Sequence, residues 1–430
     1  MKERNRVSEL IKDTFIPRMF TVKQHFDATC LEREQIPQTV ADLLSEDRFA
    51  SKIRPGMEIA VTCGSRGICN IDIIVKSICD FVRSRGAVPF VVPAMGSHGG
   101  ATAEGQKELL SHYGVTEEYL GCEIRSSMET VLIGKNAEGL DVFMDKNAAQ
   151  ADGIILCNRV KPHTSFKGDV ESGLMKMMAI GLGKQYGADK CHEAGFQNMA
   201  KNVKLFGGTV LANAPVLFGV AILENAFDKT KRLAVLDREE IPEKEPELLK
   251  EARASMPRIL VDSCDVLIID RIGKDISGTG SDPNVAGPFG DSGAQYGLKS
   301  QSICILDLTE NTNGNGYGIG AADATTQRVF DKLDLEAMYI NSITSTALWK
   351  NRIPLIMKND REAIQVVIKC CNEIDKRNPR IVRIPDTLHL GQIMLSEAYL
   401  KEIEAIPGLE RISEPAELLF DKDGNLPERK

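Results

Sequence analysis

No apolar run in this chain approaches the roughly 20 residues that a membrane-spanning helix needs, so no such helix is expected. Basic residues are outnumbered, 53 Lys and Arg against 61 Asp and Glu, for a formal net charge of −8. With a sequence pI near 5.5, no broad basic face remains for a nucleic acid or an anionic membrane. A small anion would have to be met by a local, placed basic pocket. The charged N-terminus, Met1-Lys2-Glu3-Arg4-Asn5-Arg6, leads into no apolar h-region, so no signal peptide is expected. Eleven cysteines are an odd number, and many lie in apolar strand-like runs (Cys157, Cys264, Cys304) or as the helical pair Cys370-Cys371. Cys63 and Cys69 are too far apart for a Cys-x-x-Cys knuckle, and no second pair accompanies them. Reduced buried thiols and a cytoplasmic location are the expectation. The chain also lacks a GxxxxGK[ST] loop, a GxSxG elbow, and a GxGxxG set between a strand and a helix. That excludes the commonest nucleotide-binding and serine-hydrolase signatures.

What is there reads as an α/β enzyme. At 430 residues the chain exceeds one ordinary hydrophobic core. Two α/β domains with mainly parallel sheets are expected, over residues 1–258 and 259–430, with a final segment able to pack back on the first. Strands are expected at Met57–Thr62, Ala87–Val92 and Gly153–Cys157. Helices are expected at Asp72–Ser84, at Ala103–Tyr113 with Thr102 as N-cap, and at about 171–180 and 185–203. The charged stretch Asp237–Arg253 reads as a surface helix or a connector. Strands at Val266–Ile269 and Ser302–Leu308 follow, with Gly-rich loops at about 273–298 and 310–320 and a helix near 324–333. Loops of that length usually mean function or disorder. Parallel sheets of this kind put ligands at the carboxyl ends of their strands.

Only six histidines occur, and three sit in loop chemistry. His98 lies in Gly96-Ser97-His98-Gly99-Gly100, directly after a strand. His163 lies in Lys161-Pro162-His163-Thr164-Ser165, after another. His192 lies in Cys191-His192-Glu193. An imidazole can take or give a proton near neutral pH, and a two-base inversion needs two of them. His25, His112 and His389 lack such settings and read as solvated or structural. Gly64-Ser65-Arg66-Gly67 joins an arginine fork to backbone N–H groups between a strand and a helix, which suits a carboxylate or phosphate. In Glu171–Lys184 the helical part is almost all apolar, so Lys176 faces either the interior or a ligand, or snorkels along a flank. A desolvated lysine is paired with an anion or available as a nucleophile.

Together these motifs resemble the nickel-dependent lactate racemase family and its hydroxyacid racemase and epimerase relatives. Gly96–Gly100 is similar to the family's first catalytic-histidine loop, Lys161–Lys184 to its second, and Cys191-His192-Glu193 to the segment of its third histidine. The resemblance covers most of residues 40–350 and is most specific over 158–195. It implies a nickel-pincer nucleotide cofactor, with nickel held by two sulfurs, a ring carbon and His192. It further implies Lys176 as the cofactor tether, Ser65 and Gly173 beside the cofactor, and His98 and His163 as the proton-exchanging pair. Arg66 and Lys299 are assigned to the substrate carboxylate. The family's acidic residue and His-Thr-Arg-Pro are replaced here by Cys63-Gly64-Ser65-Arg66-Gly67, where only the arginine matches. A substrate other than lactate, such as a sugar acid, is therefore at least equally expected.

The expected activity is racemisation or epimerisation at the hydroxyl-bearing carbon of a 2-hydroxy acid, in a cleft between the two domains. The expected partners are that small-molecule acid and the proteins that make the cofactor, with neither nucleic acid nor membrane. Two alternatives stay open. One is a metal-free lyase or isomerase using a Schiff base on Lys176; the other is a non-catalytic protein that binds a small acid or the cofactor.

Overall fold

The computed structural model describes residues 5–65, 67–193, 195–287 and 297–427. Its backbone divides into two units, residues 27–256 and residues 1–26 together with 257–430. After an opening helix, Asn5–Ile11, the first strand, β1 (Met19–Gln24), belongs to the second of these.

The unit of residues 27–256 is built on β2 (Glu58–Cys63), β3 (Val88–Pro93), β6 (Gly153–Arg159), β7 (Val216–Glu224) and β8 (Thr230–Asp237). A separate two-stranded ribbon consists of β4 (Thr130–Lys135) and β5 (Asp141–Asp145). The main sheet runs in the order β3-β2-β6-β7-β8, parallel except for β8, which returns antiparallel to β7. Helices cover both faces, so its strands are apolar on both sides. On β6, Ile154 and Leu156 face one core with Ala60 and Val92, while Ile155 and Cys157 face the other with Val61 and Val91. Helix Ile71–Ser84 closes the second face through Ile71, Ile74, Val75, Ile78 and Val82, all buried at helical spacing. Each such side chain contributes about 1.5–3 kcal/mol on burial. Helices Met199–Asn213 and Ile241–Ser255 close the other face. The strands expected at Met57–Thr62, Ala87–Val92 and Gly153–Cys157 thus form within one or two residues of their expected bounds. Thr102 caps its helix by accepting from the Gly105 N–H at 3.0 Å.

Three expectations need correction here. The helix expected over 185–203 is two, Lys184–His192 and Met199–Asn213, because the chain turns at Gly195, whose φ is +77°. The helix expected from 171 starts at Leu174, since Lys161 and Ser172 pair backbone to backbone and hold the preceding residues in a closed loop. The stretch Asp237–Arg253 does form the expected helix, as Ile241–Ser255, but it is no mere surface element: Ile241, Glu245, Leu248, Leu249 and Ala252 share one buried face on the sheet.

The other unit holds β9 (Ser263–Ile272), β10 (Lys299–Leu308), β11 (Ala324–Thr326), β12 (Leu355–Met357), β13 (Ile381–Ile384), β14 (Gln392–Ser396) and β15 (Leu409–Arg411). Its sheet runs β12-β11-β10-β9-β13-β14-β1-β15, parallel from β12 to β13 and antiparallel beyond. The helix expected near 324–333 begins only at Gln327, because Ala324–Thr326 pair with β10 first. The first domain, expected over 1–258, does not take in residues 1–26. β1 is paired with β14 and β15, Phe20 opposite Leu395 and Val22 opposite Arg411. The final segment stays in this unit too, where Ala416 bridges Met19 and the Leu426 N–H donates to Asp360 at 2.8 Å. Among the described residues, no helix is long and apolar enough to cross a membrane.

Candidate active site

The strand order β3-β2-β6 sets three loops side by side at the carboxyl edge of the first sheet. Ser65 follows β2, His98 follows β3 and His163 follows β6. Ser65 and His98 are joined directly, hydroxyl Oγ to imidazole Nδ1. The Tyr113 hydroxyl donates to the Ser65 carbonyl at 2.9 Å and steadies that loop from the helix behind. The far side of the same loop is held by Arg159, which donates to the Gly67 carbonyl at 3.3 Å and pairs with buried Glu224. Arg66 lies outside the described residues.

His163 stands on its own loop, and that loop is organised by one carboxylate. Glu171 is fully buried and accepts from the His163 N–H at 2.6 Å and the Gly168 N–H at 3.2 Å. Arg253, at 2.9 Å, and Lys167, at 3.4 Å, balance its charge. The His163 ring lies against Phe166, centroids 4.3 Å apart, and its Nδ1 accepts from the Ser165 N–H at 3.0 Å. An Nδ1 used as acceptor leaves the proton of the neutral ring on Nε2. The Ser65 hydroxyl, by contrast, can donate to or accept from His98, so this contact suits either tautomer. The two histidines are therefore not equivalent in the resting protein.

Lys176 and His192 come from the next helical segments. Residues 174–176 form an α-turn, and Met177–Gly181 widen into a π-turn in which the Leu182 N–H reaches the Met177 carbonyl at 2.8 Å. Such widened turns recur at functional sites. Lys176 is half-buried on this segment, and Met177 beside it packs under the end of β2 as the Thr62 hydroxyl donates to its sulfur at 2.8 Å. His192 ends helix Lys184–His192. Burial first, and the positive charge of Lys176 second, push its imidazole down to about 4, so it is neutral at pH 7. A neutral ring nitrogen with a lone pair is what a metal ligand requires.

Gly173 opens the Lys176 segment, and its role in the fold is steric. A Cβ there would run into the carboxylate of Glu245, which is buried and accepts from the Met175 N–H at 2.9 Å. Desolvation raises the Glu245 carboxyl to about 7. Gly173→Ala is accordingly expected to lower stability by about 1–3 kcal/mol through overpacking, read as a fall in the urea midpoint. An unchanged midpoint would mean that the helix start has room to spare.

Lys299 is exposed at the amino end of β10 and belongs to the other unit, not to the one that carries His98, His163 and His192. The structure thus brings together Ser65 with His98, and Lys176 with His192, and places His163 on the neighbouring strand end. Sequence reasoning passed over the residues that hold them: Glu171, Arg253, Arg159, Glu224, Glu245 and Gln106. For Glu245 a signal existed, since Ile241, Leu248, Leu249 and Ala252 fall on its helical face. For Arg253, Arg159 and Glu224 the partners lie 65 or more residues away in sequence, too far to be paired by eye. Among the described residues, no group of three or more His, Cys, Asp and Glu side chains could hold a metal.

Fold and site together define an α/β protein with a histidine-bearing edge on a parallel sheet. Residues 7–203 match the family model of the lactate racemase N-terminal domain, the family that the histidine loops resemble. The lactate racemase apoprotein of Thermoanaerobacterium thermosaccharolyticum has a similar structure, at TM-score 0.56 and 13% identity over 86% of this chain and 98% of its own. A protein from Thermotoga maritima is similar at TM-score 0.53 and 12% identity over 84% and 98%. At such identities the likeness is one of fold. No curated protein matches the chain.

Proposed function

We propose that this protein is a racemase or epimerase that inverts the hydroxyl-bearing carbon of a 2-hydroxy acid. The match to a lactate racemase N-terminal domain supports a racemase-type function. The observation that carries the finer reading is the pair of histidines at the ends of β3 and β6, the two strands that flank β2, one bonded to the Ser65 hydroxyl and the other an Nε2 donor in its neutral form. One imidazole withdraws the hydroxyl proton as the carbon gives up its hydride, and the other returns a proton when hydride comes back to the opposite face. Each must be neutral as base and charged as acid, so the pH–rate profile is expected to be bell-shaped.

A nickel-pincer nucleotide, when bound, would supply the hydride acceptor. The residues present fit such a group. His192 offers a neutral nitrogen, and Lys176 lies close enough to depress its basicity. With no three-residue metal cluster among the described side chains, a metal on His192 takes its other donors from elsewhere, as that cofactor provides. Lys176 would hold the cofactor, with Ser65 and Gly173 beside it. Arg66, next to Ser65, is proposed for the substrate carboxylate, and Lys299 for the same anion on its charge alone. A cytoplasmic setting and dependence on cofactor-synthesis proteins complete the proposal.

The test is a chiral assay of protein made in cells that also make the cofactor, offered single enantiomers of lactate and of larger 2-hydroxy acids. Convergence of at least one pair to a mixture is expected. Unchanged enantiomeric purity across the panel, with cofactor bound, would contradict the reading.

A further inference from the structure

The loop that carries His98 is held in part by its own turns, the His98 N–H donating to the Met95 carbonyl at 3.2 Å and the Ala101 N–H to the Ser97 carbonyl at 3.1 Å. Gly96, Gly99 and Gly100 all take positive φ, +58°, +67° and +65°. A loop so rich in glycine loses much conformational entropy on ordering, which contacts from outside it help to offset. Ser65 holds one atom of the His98 ring, and the loop's own turns hold N–H groups of its backbone, which leaves the Gly96 and His98 carbonyls to be met from outside. That is done by a side chain on helix Ala103–His112. Gln106 is fully buried, and its Nε2 donates to the Gly96 carbonyl at 2.9 Å and the His98 carbonyl at 3.2 Å.

An amide can be turned over, and here a buried charge decides which way it lies. Lys184 is also fully buried, and its ammonium donates to the Gln106 Oε1 at 2.9 Å and the Pro93 carbonyl at 2.6 Å. Asp145 pairs with it at 3.2 Å. Turned over, the Gln106 NH2 would face the ammonium, and its oxygen would face two carbonyls. Each contact would change from attraction to repulsion, in surroundings where water cannot screen it. Lys184 therefore selects the orientation that ties down the His98 loop. Lys184 itself opens the helix that ends in His192, and the Gly96 N–H bonds to the Gly181 carbonyl at 3.1 Å at the end of the Lys176 segment.

We infer that Gln106, oriented by the buried Lys184–Asp145 pair, is a positioning residue for His98. It couples the proton-carrying loop to the two segments that bear Lys176 and His192. This inference rests on the proposed function for its effect on turnover, but not for its effect on the geometry of His98.

Two variants test it. Gln106→Glu keeps the shape and the acceptor for Lys184, and it replaces both donors by an oxygen facing two carbonyls. The double variant Lys184→Met with Asp145→Leu removes the charge that orients the amide while keeping an apolar core, an exchange that proteins often tolerate. The first readout needs neither cofactor nor activity: the 15N resonances of His98 in histidine-labelled protein, assigned by their loss in His98→Asn. Wild type is expected to show one His98 environment, and each folded variant a shifted or doubled one. The second readout is kinetic, on protein of matched cofactor content: kcat falls on the order of 10²-fold while KM moves little. If Gln106→Glu fails to fold, the double variant decides alone, and if both fail, His98 resonances of folded Gln106→Ala decide. Native His98 resonances in a folded variant would overturn the inference, whether or not the protein is a racemase. A chain inactive on every acid, yet with displaced His98 resonances, would instead overturn the proposed function and keep this one.

Discussion

His98→Asn and His163→Asn are each expected to lower racemisation by about 10² to 10⁴-fold, the range typical of losing a positioned acid–base group. Binding of the substrate acid, followed by calorimetry, is expected to change far less. Asparagine keeps a polar side chain of similar reach and removes the group that gains and loses a proton. The two losses should not look alike. His163 has its Nδ1 committed to the Ser165 N–H at 3.0 Å, so its neutral ring starts as a donor through Nε2. To act as base there it must be in the other tautomer, which turns an Nδ1–H against that amide. His98 faces a hydroxyl that can rotate to suit either form. Ser65→Ala is therefore expected to remove the partner that serves either form of His98 and to reduce turnover by a smaller factor than His98→Asn. A His98 or His163 variant within tenfold of wild type would remove that residue from the proton-transfer role. Full binding without turnover in the wild type itself would favour the non-catalytic alternative.

The second large effect concerns Glu245 and the pH dependence of stability. Burial raises its carboxyl from an ordinary glutamate value to about 7 in the folded protein. Between the unfolded value near 4.5 and about 7, the folded state binds more protons than the unfolded one, so this group makes stability fall as pH rises. A shift of that size corresponds to on the order of 3 kcal/mol. His192 works in the opposite sense. Its folded value is pushed down to about 4, so between about 4 and 6.5 the unfolded state binds more protons and stability rises with pH. The two groups largely offset each other in the wild type over that window. Comparison with Glu245→Gln separates them. The variant is expected to gain on wild type by up to about 3 kcal/mol as pH goes from 4.5 to 8, read from urea unfolding of cofactor-free protein. A difference that stays constant across that range would mean that Glu245 does not titrate in it.

Much of the sheet that carries the histidines was legible because parallel strands buried on both faces leave continuous apolar runs, as in Gly153–Cys157. The site was legible wherever function sits next to a strand end, which is why His98 and His163 stood out against His25 and His389. What the sequence hid was long-range. β1 joins strands more than 370 residues away, and nothing in Met19–Gln24 says which sheet it will complete. The place of Lys184 was hidden because its three partners, Pro93, Gln106 and Asp145, come from three separate segments. Glu171 looked like the start of a helix, yet its carboxylate folds back to hold the loop before it. Local pattern encodes elements; the groups that tune the site are set by contacts that only the fold creates.

The central claim is best tested by intact mass and nickel content of the protein purified from cells that make the pincer cofactor. About one nickel per chain with the cofactor mass is expected, and His192→Ala is expected to lose the metal. A mass that survives denaturation would place the tether on Lys176. Folded protein with neither nickel nor cofactor mass would contradict the account and favour Schiff-base chemistry at Lys176.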